Sequence, residues 1–119
     1  MVDYRNYTVW KKAHALVLDI YKTTRNLPSE EKFNLISQMN RAALSVPTNI
    51  VEGCGRETQK EFLRFLHISS GSAFELEYLI LVCRDLKFID IETSEELMRQ
   101  IAEIKRMLFS LIQKIKSDL

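Results

Sequence analysis

The chain is poor in turn formers, with three glycines and two prolines in 119 residues. That scarcity argues against a loop-rich or many-stranded fold and for long uninterrupted elements. Cysteine is almost as rare. Cys54 and Cys83 are the only two, too few for a disulfide framework. Neither sign of charge prevails: 17 basic and 16 acidic side chains leave a formal +1, so no overall field draws the molecule to nucleic acid, though a local patch still can. Long apolar runs are missing as well. The longest, Leu79 to Cys83, is far too short to cross a bilayer. The opening residues show no basic stretch followed by an apolar one, so no secretory signal is expected. A cytoplasmic protein without a membrane partner is the expectation. At 46% apolar and 28% charged, residues 1–119 read as one ordinary domain.

What the chain does have is helical periodicity. Ile36, Met39, Ala43, Val46 and Ile50 recur at steps of three and four and form one apolar seam. Ala42, Ala43, Ser45 and Thr48 keep that seam thin, so a neighbouring helix can come close. Pro47 inside the pattern predicts a kink or a break near Ala43 to Pro47, and Gly53 and Gly55 are expected to end the helix in the left-handed cap conformation. Thr8 reads as an N-cap for a first helix, Ser29-Glu30-Glu31 as the start of the second. Thr58-x-x-Glu61 and Thr93-x-x-Glu96 read as capping boxes for the third and fourth. The predicted helices cover about 9–26, 30–52, 58–87 and 94–117. Short connections predict an all-α, antiparallel up-down-up-down four-helix bundle. If the second and third helices turn near Arg56 and Glu57, Ala42-Ala43 faces Ser69 to Ala73. A close crossing would then explain Gly71, which costs ~1 kcal/mol inside a helix.

No catalytic set is visible. His14 and His67 lack the Glu-x-x-His pattern of a bundle metal site, since Lys11 and Arg64 stand three residues before them. Cys54 and Cys83 fall near opposite ends of the third helix, beyond the roughly 7 Å reach of a disulfide, and neither has a histidine and orienting partner. Gly53-Cys54-Gly55 has neither the third glycine nor the lysine-threonine pair of a phosphate loop. No enzyme activity and no cofactor are expected. Asn40, Arg41, Asn49 and Glu52 are candidate buried polar residues, placed to cap backbone groups that Pro47 frees or to pair across a subunit interface.

Two surfaces invite a functional reading. Arg56, Lys60 and Arg64 are four residues apart; with Lys11, Lys12 and Arg41 they make a candidate phosphate-contacting set. The bland alternative is a solvated face with Glu57 and Glu61 interleaved. No pattern of exposed aromatics for base stacking is visible. Leu76 to Cys83, by contrast, is apolar almost all round, more than one seam needs. Its surplus, Tyr78, Leu81 and Val82 together with Phe74, is the expected homo-oligomer interface. Phe109 and Ile112 read as similar surplus.

Taken together, Val9-Trp10-Lys11-Lys12-Ala13, Ser37 to Ala43, Val46-Pro47-Thr48-Asn49-Ile50-Val51-Glu52-Gly53, Arg56, Lys60 to Leu66 and Gly71-Ser72-x-x-Glu75-Leu76-Glu77 resemble the family of 23S rRNA intervening-sequence proteins. Pro47, Asn49, Glu52 and Gly53 carry the most specific part. Where the family pattern tends to alanine before the glutamate and an aromatic after the glycine, this chain has Val51 and Cys54. The resemblance implies a small four-helix bundle, a ring-shaped homo-pentamer and, from related retroelement accessory proteins, binding of nucleic acid and of a protein partner. It brings no catalytic residues. The expected function is a non-catalytic, homo-oligomeric accessory protein that binds RNA or DNA; the alternative is a protein-interaction scaffold without nucleic acid.

Overall fold

A computed structural model describes residues 2–119, so Met1 of the expected domain lies outside the described residues. These residues hold four long helices and no strand: α1 Thr8–Thr24, α2 Ser37–Cys54, α3 Gln59–Asp85 and α4 Ile91–Ser117. A 3-10 turn at Tyr4–Asn6 precedes α1, and a 3-10 turn at Ser29–Glu31 followed by a π turn at Lys32–Ile36 leads into α2. The molecule measures 45 × 23 × 19 Å, its long axis close to the ~40 Å expected of a 27-residue helix.

Each helix packs on its chain neighbours, and α4 also packs on α1. The α2–α3 contact is the most extensive. Along it, Met39 meets Cys83 while Val46 meets Ser69, so residue numbers rise on one helix as they fall on the other. The core follows the sequence periodicity: Ala13, Leu16, Ile20, Met39, Ala43, Val46, Ile50, Leu66, Ala73, Leu76, Ile80, Ile101, Ile104 and Leu108 are all buried. Ile112, read from sequence as surplus, is buried with them. It falls at a three-to-four step from Leu108 and Ile115, so it sits on the core stripe of α4.

Small residues meet small residues between α2 and α3, with Ser45 Oγ and Ser72 Oγ 2.7 Å apart. Gly71 is not part of that seam. A Cβ on Gly71 would meet nothing within 4 Å, because the residue faces outward. The glycine that the crossing needs is Gly53, where a Cβ would lie 2.7 Å from Phe62 Cδ1 and 3.0 Å from Phe65 Cβ. No glycine has positive φ, and the α2 C-cap, Gly55, is right-handed at φ −83°. Gly53 is therefore there for space, not for a left-handed cap.

Pro47 does not break α2, which runs on to Cys54. Polar side chains serve the backbone around it. Ser69, fully buried on α3, donates its hydroxyl to the Val46 carbonyl at 2.8 Å, and Asn49 Nδ2 donates to the Ser45 carbonyl at 2.8 Å. Asn40 accepts a hydrogen bond from Thr24. Arg41 and Glu52, expected to be buried, are exposed; long charged side chains on α2 reach water more cheaply than they bury.

Three helix starts can be compared with their signals. Thr58 caps α3 through its hydroxyl, which accepts from Glu61 N at 3.1 Å. The α1 cap is Tyr7, one residue before Thr8, and makes no side-chain cap bond. The α4 cap is Asp90, whose carboxylate accepts from Thr93 N at 2.7 Å; a carboxylate three residues earlier outcompetes the Thr93 hydroxyl for the first free amides. At the far end of α3, Lys87 takes φ 62° and Phe88 N bonds back to Cys83 O, a Schellman closure built on a lysine.

Candidate nucleic-acid interface

Helix ends set the charge distribution. Tyr7 at the start of α1 packs on Phe62 at the start of α3, with ring centroids 5.8 Å apart. His67 near the start of α3 shares a groove with Lys116 at the end of α4. Asn26 beyond α1 shares another with Asp90 before α4. The start of α1, the end of α2, the start of α3 and the end of α4 thus form one end of the molecule. Dividing the helices near their middles gives that end residues 2–15, 43–72 and 105–119, with ten basic and five acidic side chains. The other half, residues 16–42 and 73–104, carries seven basic and eleven acidic. The near-zero total conceals two ends of opposite sign.

At the basic end the α2–α3 turn gathers Arg56 and Arg64 on one ring. Their guanidinium carbons lie 4.7 and 4.6 Å from the centroid of Phe65, an arrangement that restrains both cations by attraction to the ring face. Arg64 also pairs with Glu61 at 3.1 Å. Lys60 lies between them on the exposed first turn of α3. Among the described residues, neither Arg56 nor Lys60 has a carboxylate at ion-pair distance, and the same holds for Lys11. Lys12 is paired with Glu103 at 3.0 Å. Arg41 is not part of this cluster. It lies in the other half, in the α2–α3 groove with Asn49, Glu52 and Glu75. Of the six cations read from sequence, the structure brings Arg56, Lys60 and Arg64 together, leaves Lys11 and Lys12 on α1 in the same half, and removes Arg41. Phe65 is what the sequence reading missed; its position directly after Arg64 was the available signal.

Of the four motif residues, Pro47 is buried within α2, Asn49 bonds back to Ser45, Gly53 admits Phe62 and Phe65, and Glu52 faces solvent. The thiols take no part in the surface. Both are free and buried; burial raises the Cys54 thiol, and burial followed by the nearby Glu31 charge pushes Cys83 up to about 11.

The expected oligomer surface divides. Tyr78 and Phe74 on α3 are 62% and 56% exposed, whereas Leu81 and Val82 are half-buried and Val82 packs on the core. Phe74 faces Phe109 of α4, itself 55% exposed, across a groove that also holds His67, Lys105, Arg106 and Lys116. Exposed aromatics beside cations are therefore present on this molecule, although neighbouring positions in the sequence do not show them. No helix among the described residues is long and apolar enough to cross a membrane.

No curated protein matches the chain. A crystal structure of a protein of unknown function from the S23 ribosomal protein family, from Bacteroides thetaiotaomicron, is similar to it. The two are 26% identical with a TM-score of 0.80, and the match spans 88% of this chain and 98% of that one. The model of the family described as 23S rRNA-intervening sequence protein matches residues 5–110. With nearly the whole of its helical length matched, the chain belongs to the 23S rRNA-intervening sequence protein family.

Proposed function

We propose that this chain is a non-catalytic accessory protein that binds RNA or DNA through its basic end. In this reading the four helices form an antiparallel, up-down-up-down bundle that assembles with copies of itself, a ring of five by family resemblance, within the cytoplasm. The observation that carries the reading is the separation of charge, ten basic and five acidic side chains at one end against seven and eleven at the other. Such a molecule approaches a polyanion in one orientation despite its small net charge. Arg56 and Arg64, held on Phe65, with Lys60 on the first turn of α3, make a modest patch in one copy, and repetition of that patch in an oligomer makes a multivalent surface. Tyr78, the most exposed large apolar side chain of α3, is the proposed anchor of self-association, with Leu81 beside it.

The test is fluorescence anisotropy of labelled RNA and DNA across a salt series. Binding that weakens steeply with salt indicates released counterions. The triple change Arg56→Gln, Lys60→Gln, Arg64→Gln lowers both affinity and the salt slope, by about 0.7–0.9 for each phosphate no longer neutralised. No binding at low salt overturns the reading. A protein-interaction scaffold would then remain, which one feature of the acidic end favours: Phe33 is 89% exposed there, a large aromatic with no packing role in the monomer.

A further inference from the structure

We infer that the groove between α3 and α4 is a stacking site for single-stranded nucleic acid, which rests on the nucleic-acid reading above and places the contact on a second surface. Arg106, Phe109, Gln113 and Lys116 follow one another at steps of three and four along α4; His67, Ser70 and Phe74 do the same along α3. The two rows face each other across an open groove of about 700 Å³. No carboxylate lines it. The α2–α3 groove, by contrast, carries Glu52 and Glu75, and the α1–α4 groove carries Asp19, Asp90, Glu92 and Glu96.

The aromatics give the groove its selectivity. Phe74 and Phe109 each leave more than half of their surface to solvent. Lys105 Nζ sits 4.1 Å from the Phe74 ring centroid and donates to both carboxylate oxygens of Glu77, at 2.9 and 3.0 Å. The pair restrains the ring, which still leaves 56% of its surface to solvent. Arg106 and Lys116, without carboxylate partners among the described residues, supply positive charge at either side of Phe109. Exposed ring faces flanked by Arg106 and Lys116, with the adjoining Glu77 carboxylate already neutralised by Lys105, are what an unpaired strand requires: bases stack on the rings while the backbone tracks the charge. A duplex keeps its base faces covered and gains only the charge. The same charge argues against a second copy of this chain seated groove to groove about a two-fold axis, since Arg106 and Lys116 would meet like charges.

The experiment uses the full chain with fluorescein-labelled 20-mers of oligo(dT) and oligo(U) and a duplex of the same length. The single strands are expected to bind more tightly than the duplex. Phe74→Ala and Phe109→Ala are each expected to weaken single-strand binding at least about fivefold with the salt slope unchanged, while Phe74→Trp retains binding and Phe74→Leu does not. Both positions are half-exposed, so the variants keep the fold, which their circular dichroism and melting check. Equal affinity for duplex and single strand overturns the inference, as does a Phe74→Leu variant that binds like the parent. If the groove variants bind normally but Arg56, Lys60 and Arg64 variants do not, the stacking site falls and the basic end stands. If no nucleic acid binds at all, both fall. A drop in mass by light scattering with binding unchanged assigns the groove to contact between copies and overturns the inference too.

Discussion

Helix α3 meets its two neighbours in opposite ways. Towards α2 it presents Ser69, Ser72 and Ala73 to Ala42, Ala43 and Ser45, and Gly53 admits Phe62 and Phe65 against the α2 backbone. Towards α4, beside the core contacts of Leu76 and Ile80, it presents Phe74 and Glu77 to Lys105 and Phe109 at the border of an open groove. The tight seam fixes where the backbones go, and its buried residues, Ala43, Val46, Ser69 and Ala73, are not free to touch another molecule. The rim of the α3–α4 seam carries an ion pair and two exposed rings, so those side chains remain available. A short helical protein can place its specificity and its binding on two sides of one helix, and the residues that resemble a motif most clearly then belong to the side that folds.

The largest test of that division is Gly53→Val. A side chain there collides with the Phe62 ring and the Phe65 Cβ, both in the buried seam and unable to swing into water. The expected cost is about 3 kcal/mol, the upper part of the usual range for overpacking, read as a lower midpoint in urea denaturation with unchanged slope. Because Phe65 carries Arg56 and Arg64, the same change should also disturb the cation cluster. A Gly53→Val protein as stable as the parent would mean that the α2–α3 crossing is not set by the space at Gly53.

How much of this was legible beforehand follows from the same contrast. Seams repeat every three to four residues and leave a trace in the sequence, so the four helices and almost every core position could be read directly. Capping bonds leave a weaker trace. Thr58 was legible because its Glu61 partner follows at the right spacing, but Asp90 and Thr93 compete for the same amides and only geometry decides between them. Nothing in Lys32-Phe33-Asn34-Leu35-Ile36 announces a π turn. The candidate site was the least legible. Arg56 and Arg64 could be placed on neighbouring turns, yet their meeting on Phe65 depends on how the α2–α3 turn closes. Phe74 and Phe109 are 35 positions apart in sequence and meet only through the pairing of α3 with α4.

A second test weakens the tight seam by pH. Cys83 lies on it, fully buried, with its Sγ 3.3 Å from Met39 Sδ. Burial holds its thiol protonated up to about 11, against an ordinary value of 9.0. The folded pKa is raised, so this contribution to stability is complete below about pH 9 and is lost as pH rises towards 11, because the unfolded thiol ionises first. The loss across that window is roughly 2 kcal/mol. Cys54 and Tyr7, also raised by burial, act in the same direction. Denaturation of Cys83→Ala between pH 8.5 and 10.5 should show a pH slope shallower by about one proton, whatever the variant's absolute stability. An unchanged slope would mean that water reaches Cys83 in the folded protein.

The smallest expected effect lies between the seams, at Gly71. It faces outward in the middle of α3, where an added Cβ meets nothing within 4 Å, and its φ is not positive. Glycine there brings neither space nor a special conformation, and it leaves the unfolded chain more freedom to lose. Gly71→Ala should therefore stabilise the monomer fold by about 0.5–1 kcal/mol, visible as a modest rise in Tm. Set beside Gly53→Val, the pair separates two reasons for a glycine within one small bundle. If Gly71→Ala stabilises the fold and leaves the mass in solution unchanged, the outward face at that level is free. If it stabilises dilute protein but lowers the mass by light scattering, a second backbone approaches Gly71 in the assembly, and the tight style of contact seen between α2 and α3 also joins one copy to the next.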